Sequence, residues 1–132
     1  MIIDSSALVA ILRAEPEQEA FANLVVRAGG GRLSAASYLE TAIVIDRARD
    51  PVTSRSLDSF LAAAAISIEA VSAQQARIAR EAWRDFGKGS GHAAQLNFGD
   101  CLTYALAKER DEPVLFKGDD FSHTDLAIAA GR

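Results

Sequence analysis

The sequence predicts an α/β fold, a parallel β-sheet of about five short strands flanked by helices on both faces. Short apolar or β-branched runs alternate with longer stretches of helical period, as in a sheet built from crossover units. The 132 residues amount to one ordinary domain, able to bury roughly two-thirds of the unfolded chain's surface. Neither glycine tract, Gly29-Gly30-Gly31 nor Gly87-Lys88-Gly89-Ser90-Gly91, separates two core-sized pieces, so a single domain over residues 1–132 is expected.

The elements follow in order. A strand over 1–4 ends at Asp4, and a helix over 6–14 comes next. Pro16 suits the first turn of a second helix running to 27. A strand near Arg32 and Leu33 leads into a helix over 35–49, with Ser34 as its N-cap. Asp50-Pro51 ends that helix, and 53–65 reads as another. Residues 66–71 alternate like a strand. Residues 72–86 form an amphipathic helix whose apolar side carries Ala79, Ala82, Trp83 and Phe86. Asn97 caps a helix over 98–110, Val114-Leu115-Phe116 supplies a strand, and 127–129 a final weak one.

Composition removes several function classes. No apolar run approaches the ~20 residues needed to span a bilayer. The start, Met1-Ile2-Ile3-Asp4, lacks the basic region of a signal peptide, so a cytoplasmic location is expected. Cys101 is the lone cysteine and sits among apolar neighbours, which reads as a packed helix residue. His92 and His123 are far apart and lack zinc-ligand spacing. The net charge of −4 runs against nucleic-acid binding, except that a cluster of acids holding a cation would contribute much of it.

In a doubly wound sheet, ligands sit beyond the carboxyl ends of the strands. Asp4 closes the first strand and Asp119 follows Phe116 by three residues, so both belong on that edge. Each also has a local explanation, Asp4 as a helix cap and Asp119-Asp120 as turn residues. Asp100 is the third residue of its helix after Asn97, where a carboxylate suits the helix dipole. Glu40 is too deep in its helix to cap it. On a helical wheel it lies among Ala36, Leu39, Ile43 and Val44, where a carboxylate is costly unless Arg47 or a metal pairs with it. Four carboxylates converging at ~4–6 Å would repel by several kcal/mol at an effective dielectric of ~20. A cation removes that cost, and an all-oxygen ligand set favours Mg²⁺, or Mn²⁺ as a substitute, over zinc.

The chain resembles the PIN-domain nucleases, and within them the VapC toxins of bacterial toxin–antitoxin pairs. The matching pieces are Met1-Ile2-Ile3-Asp4-Ser5-Ser6-Ala7-Leu8, Ser37-Tyr38-Leu39-Glu40 and the block from Gly91 to Cys101. Tyr104-Ala105-Leu106-Ala107 and Leu115-Phe116-Lys117-Gly118-Asp119-Asp120-Phe121 complete the series, in family order. The resemblance implies a PIN-like parallel sheet and an acidic quartet at Asp4, Glu40, Asp100 and Asp119, with Ser6 orienting the site. Asp120 adjoins Asp119, and the Gly-Asp pairing favours Asp119 as the metal ligand. It further implies Mg²⁺- or Mn²⁺-dependent endonucleolytic cleavage of RNA, a homodimer, and inhibition by a small antitoxin. The expected reaction is attack of a metal-activated water on the phosphate, with Glu40 or Asp119 accepting its proton.

Arg77, Arg80 and Arg84 line one helix face and Lys88 follows, either tracking phosphates or forming a solvated face paired with Glu81 and Asp85. Of the apolar residues Leu8, Val9, Ile11, Leu12, Phe21, Leu24, Val25, Ile43, Val44 and Ile45, some are core, and the resemblance implies that the rest form a groove where an antitoxin helix lies. Two other readings compete. A phosphoacceptor receiver module would place an Asp after the middle strand, where Ile68-Glu69-Ala70-Val71-Ser72 has none. A catalytically idle module that only binds RNA or a partner would not tolerate a full set of mutually repelling acids.

Overall fold

Ile2 and Ile3, adjacent in sequence and both fully buried, feed two different cores. Side chains alternate across a strand, so the two residues of β1 (Ile2–Ile3) point to opposite faces of one sheet. The computed structural model describes residues 1–129. It joins β1 to β2 (Gly31–Ser34), β3 (Ile66–Glu69) and β4 (Val114–Leu115). All pairings are parallel, and the order is β3-β2-β1-β4.

Between the strands run α1 (Ser5–Leu12), α2 (Gln18–Arg27), α3 (Ala35–Asp46), α4 (Pro51–Ala63), α5 (Ala73–Phe86) and α6 (Phe98–Arg110). On one face Ile2 and Val114 pack with Ala79 and Ala82 of α5 and Leu102 and Leu106 of α6. On the other, Ile3, Leu33 and Leu115 pack with Leu8 of α1, Phe21 of α2 and Leu57 and Leu61 of α4. Each such fully buried Leu, Ile or Phe contributes roughly 1.5–3 kcal/mol.

Local chemistry sets the boundaries. Ser34 ends β2 and caps α3, its hydroxyl accepting from the Ala36 N–H at 3.3 Å. Asp50 caps α4 and Pro51 fills its first position. Ser72 caps α5, accepting from the Gln75 N–H at 3.0 Å. Gly30 enters β2 at φ +122°, and a Cβ there would lie 2.2 Å from the Ala65 carbonyl oxygen, so no other residue fits without displacing backbone.

Three expectations need correction. The sheet has four strands among the described residues, not five. Residues 127–129 reach β4 only through Val114, which donates to the Ala127 carbonyl and accepts from the Ala129 N–H. A two-residue β4 offers too short an edge for a longer ladder. Pro16 lies in the turn before α2, which begins at Gln18. The apolar wheel face of α3 points only partly inward: Ala36 packs on the core and Val44 is half-buried, but Leu39 and Ile43 are 59% and 47% exposed. Its buried stripe is instead Ser37, Thr41 and Ile45, because the two hydroxyls find partners inside: Thr41 Oγ1 donates to the Ser37 carbonyl and Ser37 Oγ pairs with Thr103 Oγ1. Among the described residues no helix is long and apolar enough to cross a membrane.

Candidate active site

The winding direction of the sheet reverses between β1 and β4. β1 connects through α1 and α2 to β2 on one side, whereas β4, reached from α5 and α6, lies on the other. That switch point opens a crevice at the strands' carboxyl ends. Asp4 stands there as the residue after β1 and the N-cap of α1, almost fully buried. Its Oδ2 accepts from the Ser6 N–H at 3.0 Å and the Ser6 hydroxyl at 2.6 Å, and its Oδ1 accepts from the Thr103 hydroxyl at 2.7 Å. Ser6 Oγ in turn accepts from the Lys117 N–H at 3.0 Å, which ties the segment after β4 to the site.

Asp100 arrives from the other direction, in the first turn of α6. Its backbone N–H donates to Asn97 Oδ1 at 2.8 Å and its Oδ2 accepts from the Asn97 N–H at 3.0 Å, a reciprocal capping box. Glu40 reaches in from α3. Its Oε1 accepts from the Ser5 hydroxyl at 2.6 Å. Its carboxylate lies so close over Gly99 that a Cβ there would sit 2.7 Å from both oxygens. A side chain at residue 99 would therefore displace the Glu40 carboxylate from its place over the turn that bears Asp100.

Electrostatics shows which acids share a field. Burial, then the charge of Asp4, and after these Asp120 and Glu40, push the Asp100 carboxyl from 3.8 up to about 7, against a lowering hydrogen bond from Asn97. Asp4, Asp120 and Glu40 thus each lie within electrostatic reach of Asp100. Asp119 and Asp120 are both exposed at the start of the 3-10 helix Asp120–His123. Asp120 is the member of the pair whose charge is felt at Asp100.

Among the described residues no Lys or Arg forms an ion pair with Asp4, Glu40 or Asp100. Arg47, the pairing partner considered for Glu40, is exposed at the end of α3 and does not reach it. Lys117 does stand at the mouth, but its ammonium is held by Glu15 at 2.7 Å and Glu17 at 3.3 Å. Among the described residues no group of three or more acidic, His or Cys side chains is placed to hold a metal ion by itself. An open set of unpaired carboxylates fits a hard ion such as Mg²⁺, which keeps several waters and is held by one or two carboxylates together with substrate phosphate.

Thr103 and Ser5 are the site residues that sequence reading passed over. Thr103 lies one turn beyond Asp100, on the same face of α6, and that spacing was the available signal. Cys101 is buried, and burial with the Asp100 charge pushes its thiol up to about 11, so it is a packing residue. His92 accepts from the Ala94 N–H through Nδ1 and meets Phe86 edge-on, a structural role in the loop before α6.

The family model described as PIN domain matches residues 1–126. Ribonuclease VapC28 of Mycobacterium tuberculosis is 55% identical over 132 residues, 100% of this chain and 99% of that protein. Ribonuclease VapC30 of the same species is 50% identical over 130 residues, 98% of each. M. tuberculosis VapC20, described as a Sarcin-Ricin loop cleaving toxin, has a TM-score of 0.74 at 16% identity, covering 96% of this chain and 95% of its own. A toxin–antitoxin complex from Klebsiella pneumoniae gives a TM-score of 0.69 at 12% identity, covering 94% and 92%. At those identities the likeness to the two solved structures is one of fold.

Proposed function

The chain belongs to the PIN-domain family, and from that premise we propose that it is a VapC-type endoribonuclease, the toxin half of a toxin–antitoxin pair. We take it as one domain over 1–132, acting in the cytoplasm with Mg²⁺, or Mn²⁺ in its place. The observation that carries the reading is a set of buried and half-buried carboxylates at the switch point of a parallel sheet, with no cationic partner among the described residues.

In this reading Asp4 and Asp100 are the principal metal ligands, and Glu40 with the Asp119–Asp120 pair completes the site. The charge of Asp120 acts on Asp100, which favours Asp120 as the contributor from this pair, with Asp119 beside it. When bound, the ion supplies Lewis acidity, neutralising charge on the phosphate and acidifying water beside it. The chain does the rest. Ser6 and Thr103 hold the two oxygens of Asp4 in one orientation. Gly99 lets Glu40 stand next to Asp100, and Ser5 aims its carboxylate, which takes the proton of the attacking water.

The partner surface follows from α1 and α3. Of the apolar surplus, Leu8, Ile11, Phe21, Val25 and Ile45 are core, whereas Val9 and Val44 line a hollow of about 370 Å³ that also touches Glu40 and Lys117. With the exposed Leu39 and Ile43 alongside, this is the groove we assign to an antitoxin helix. A homodimer completes the proposed assembly.

The test is incubation of purified chain with total RNA, with Mg²⁺ and with EDTA, and mapping of fragment ends. Asp4→Asn and Asp100→Asn are expected to abolish cleavage while far-UV circular dichroism stays unchanged. Asp119→Asn and Asp120→Asn, made singly, show which acid of the pair the site uses. Full activity in Asp4→Asn or Asp100→Asn would refute the assignment.

A further inference from the structure

Between α5 and the first turn of α6 lies a hollow of about 460 Å³, floored by the buried Ala79, Cys101 and Leu102. Trp83 and Phe98 line it while remaining 46% and 79% exposed, and Arg80 and Lys88 stand on its rim. A second hollow of about 400 Å³ shares Arg80, Trp83 and Lys88 with the first and adds Arg84 and the loop residues Gly89 and Ser90. Trp83, Arg80 and Lys88 thus line both hollows. Phe98 adjoins Gly99, on which Glu40 rests, and Asn97, which lines the hollow, donates its N–H to Asp100. The recess and the acidic site are two sides of one helix turn.

We propose that this recess is a nucleobase subsite: a base of single-stranded RNA next to the scissile phosphate stacks against Trp83 and Phe98, while Arg80, Arg84 and Lys88 take adjoining phosphates. The inference rests on the nuclease reading and extends it to how substrate is held. Two exposed aromatic faces beside a cluster of cations match the composition of single-strand binding sites, where stacking and phosphate contact act together. The cations are available. Among the described residues Arg80 and Lys88 make no ion pair, and Arg84 meets only its exposed neighbour Asp85, at 3.4 Å. A second copy of the chain fits this place poorly, because a two-fold contact centred on the recess would set the same three cations of both copies against one another.

Trp83 is the one tryptophan of the chain, so its fluorescence reports on the recess directly. Purified chain in EDTA, where cleavage does not intervene, is titrated with a short single-stranded oligoribonucleotide and with an abasic strand of equal length. The intact strand is expected to quench Trp83 saturably, and the abasic strand to leave it unquenched. Phe98→Ala should weaken binding roughly ten- to hundred-fold and Phe98→Tyr should restore it, while both variants keep the parent circular dichroism because residue 98 is exposed. Arg80→Gln with Lys88→Gln should flatten the salt dependence of binding. Equal quenching by the abasic strand, or no quenching by either, overturns the subsite. So does a Trp83 signal that changes with protein concentration in the absence of RNA, which would give the recess to a second copy. Cleavage with Mg²⁺ but no base-dependent quenching sinks the subsite alone, whereas base-dependent quenching without cleavage sinks the nuclease reading alone.

Discussion

Replacing Asp100 by Asn should make the metal-free protein more stable, by an amount that depends on pH in a defined direction. In the folded chain the Asp100 carboxyl is pushed from 3.8 up to about 7, first by burial and then by the charge of Asp4. Below pH 3.8 the group is protonated in both folded and unfolded chains and costs nothing. As pH rises towards 7 the unfolded chain releases the proton first, so folding is progressively penalised, and above about 7 the penalty is constant. The interval corresponds to a ceiling of roughly 4 kcal/mol. An asparagine keeps an oxygen to accept from the Asn97 N–H, now 3.0 Å from Oδ2, but loses about 0.3–1 kcal/mol of interaction with the helix dipole. With some relaxation of the site, a net gain of about 1–3 kcal/mol is expected at pH 8 in EDTA. For a chain of this size that raises Tm by roughly 3–10 °C. Thermal melts followed by circular dichroism at pH 4, 6 and 8 would show the gain growing with pH. Millimolar Mg²⁺ should stabilise the parent by mass action and leave the variant nearly unmoved. A variant less stable than the parent at pH 8, or a pH-independent difference, would refute the idea that Asp100 sits in a strained negative field.

Two substitutions probe the support around that field. Gly99→Ala would ordinarily favour a helix by up to ~1 kcal/mol, but here the added Cβ meets both Glu40 oxygens at 2.7 Å. Cleavage should fall at least ten-fold, by roughly the effect of losing a general base, with Tm little changed; initial rates on a defined RNA would check this. Thr103→Val removes the donor to Asp4 Oδ1 at nearly constant volume and should cost ~1–3 kcal/mol of stability. Thr103→Ser should recover most of the loss, and a melt that does not distinguish Val from Ser would remove Thr103 from the site's support.

The order of the elements was legible because each has a local cause. α6 begins at Phe98 and ends at Arg110 as the Asn97 cap and the helical period require. Gly29-Gly30 and most of the second glycine tract fall in loops, Gly31 opens β2, and Ser34 caps α3 as expected. Asp50-Pro51 starts α4 rather than ending α3, and Ser72 is the cap of α5 rather than its first residue. Ends without such a cause moved. α1 stops at Leu12, two residues short of expectation, and α3 at Asp46, three short. At the site, Asp4 and Asp100 could be read from their places at a strand end and a helix start. Glu40 was found by an argument that was half wrong. The wheel placed it on a buried apolar stripe, but Leu39 and Ile43 face outward and the buried stripe carries Ser37 and Thr41. Hydrophobic period is a poor guide where a helix buries hydroxyls that hydrogen-bond to another helix, as Ser37 does to Thr103. Which of Asp119 and Asp120 feels the site depends on how one exposed turn lies, and no period in the sequence encodes that.

The net charge of −4 hides a separation that bears on how RNA approaches. Setting aside Asp4, Glu40, Asp100, Asp119 and Asp120 leaves 13 acidic against 14 basic side chains, a balance of +1. The repulsion felt by a phosphate is therefore concentrated where cleavage would occur, while Arg77, Arg80, Arg84 and Lys88 offer positive charge on the flank. Neutralising the site should then strengthen RNA binding even when it destroys chemistry. Each carboxylate removed near a bound phosphate is worth about 1 kcal/mol, or roughly five-fold in affinity, at a few ångströms' separation in a site as open to water as this one. In EDTA at pH 8, where both acids of the parent are ionised, Asp4→Asn with Asp100→Asn should accordingly bind single-stranded RNA roughly twenty-five-fold tighter than the parent, by fluorescence anisotropy, while cutting none of it. Weaker binding by the double variant would mean that these acids do not face the phosphate at all.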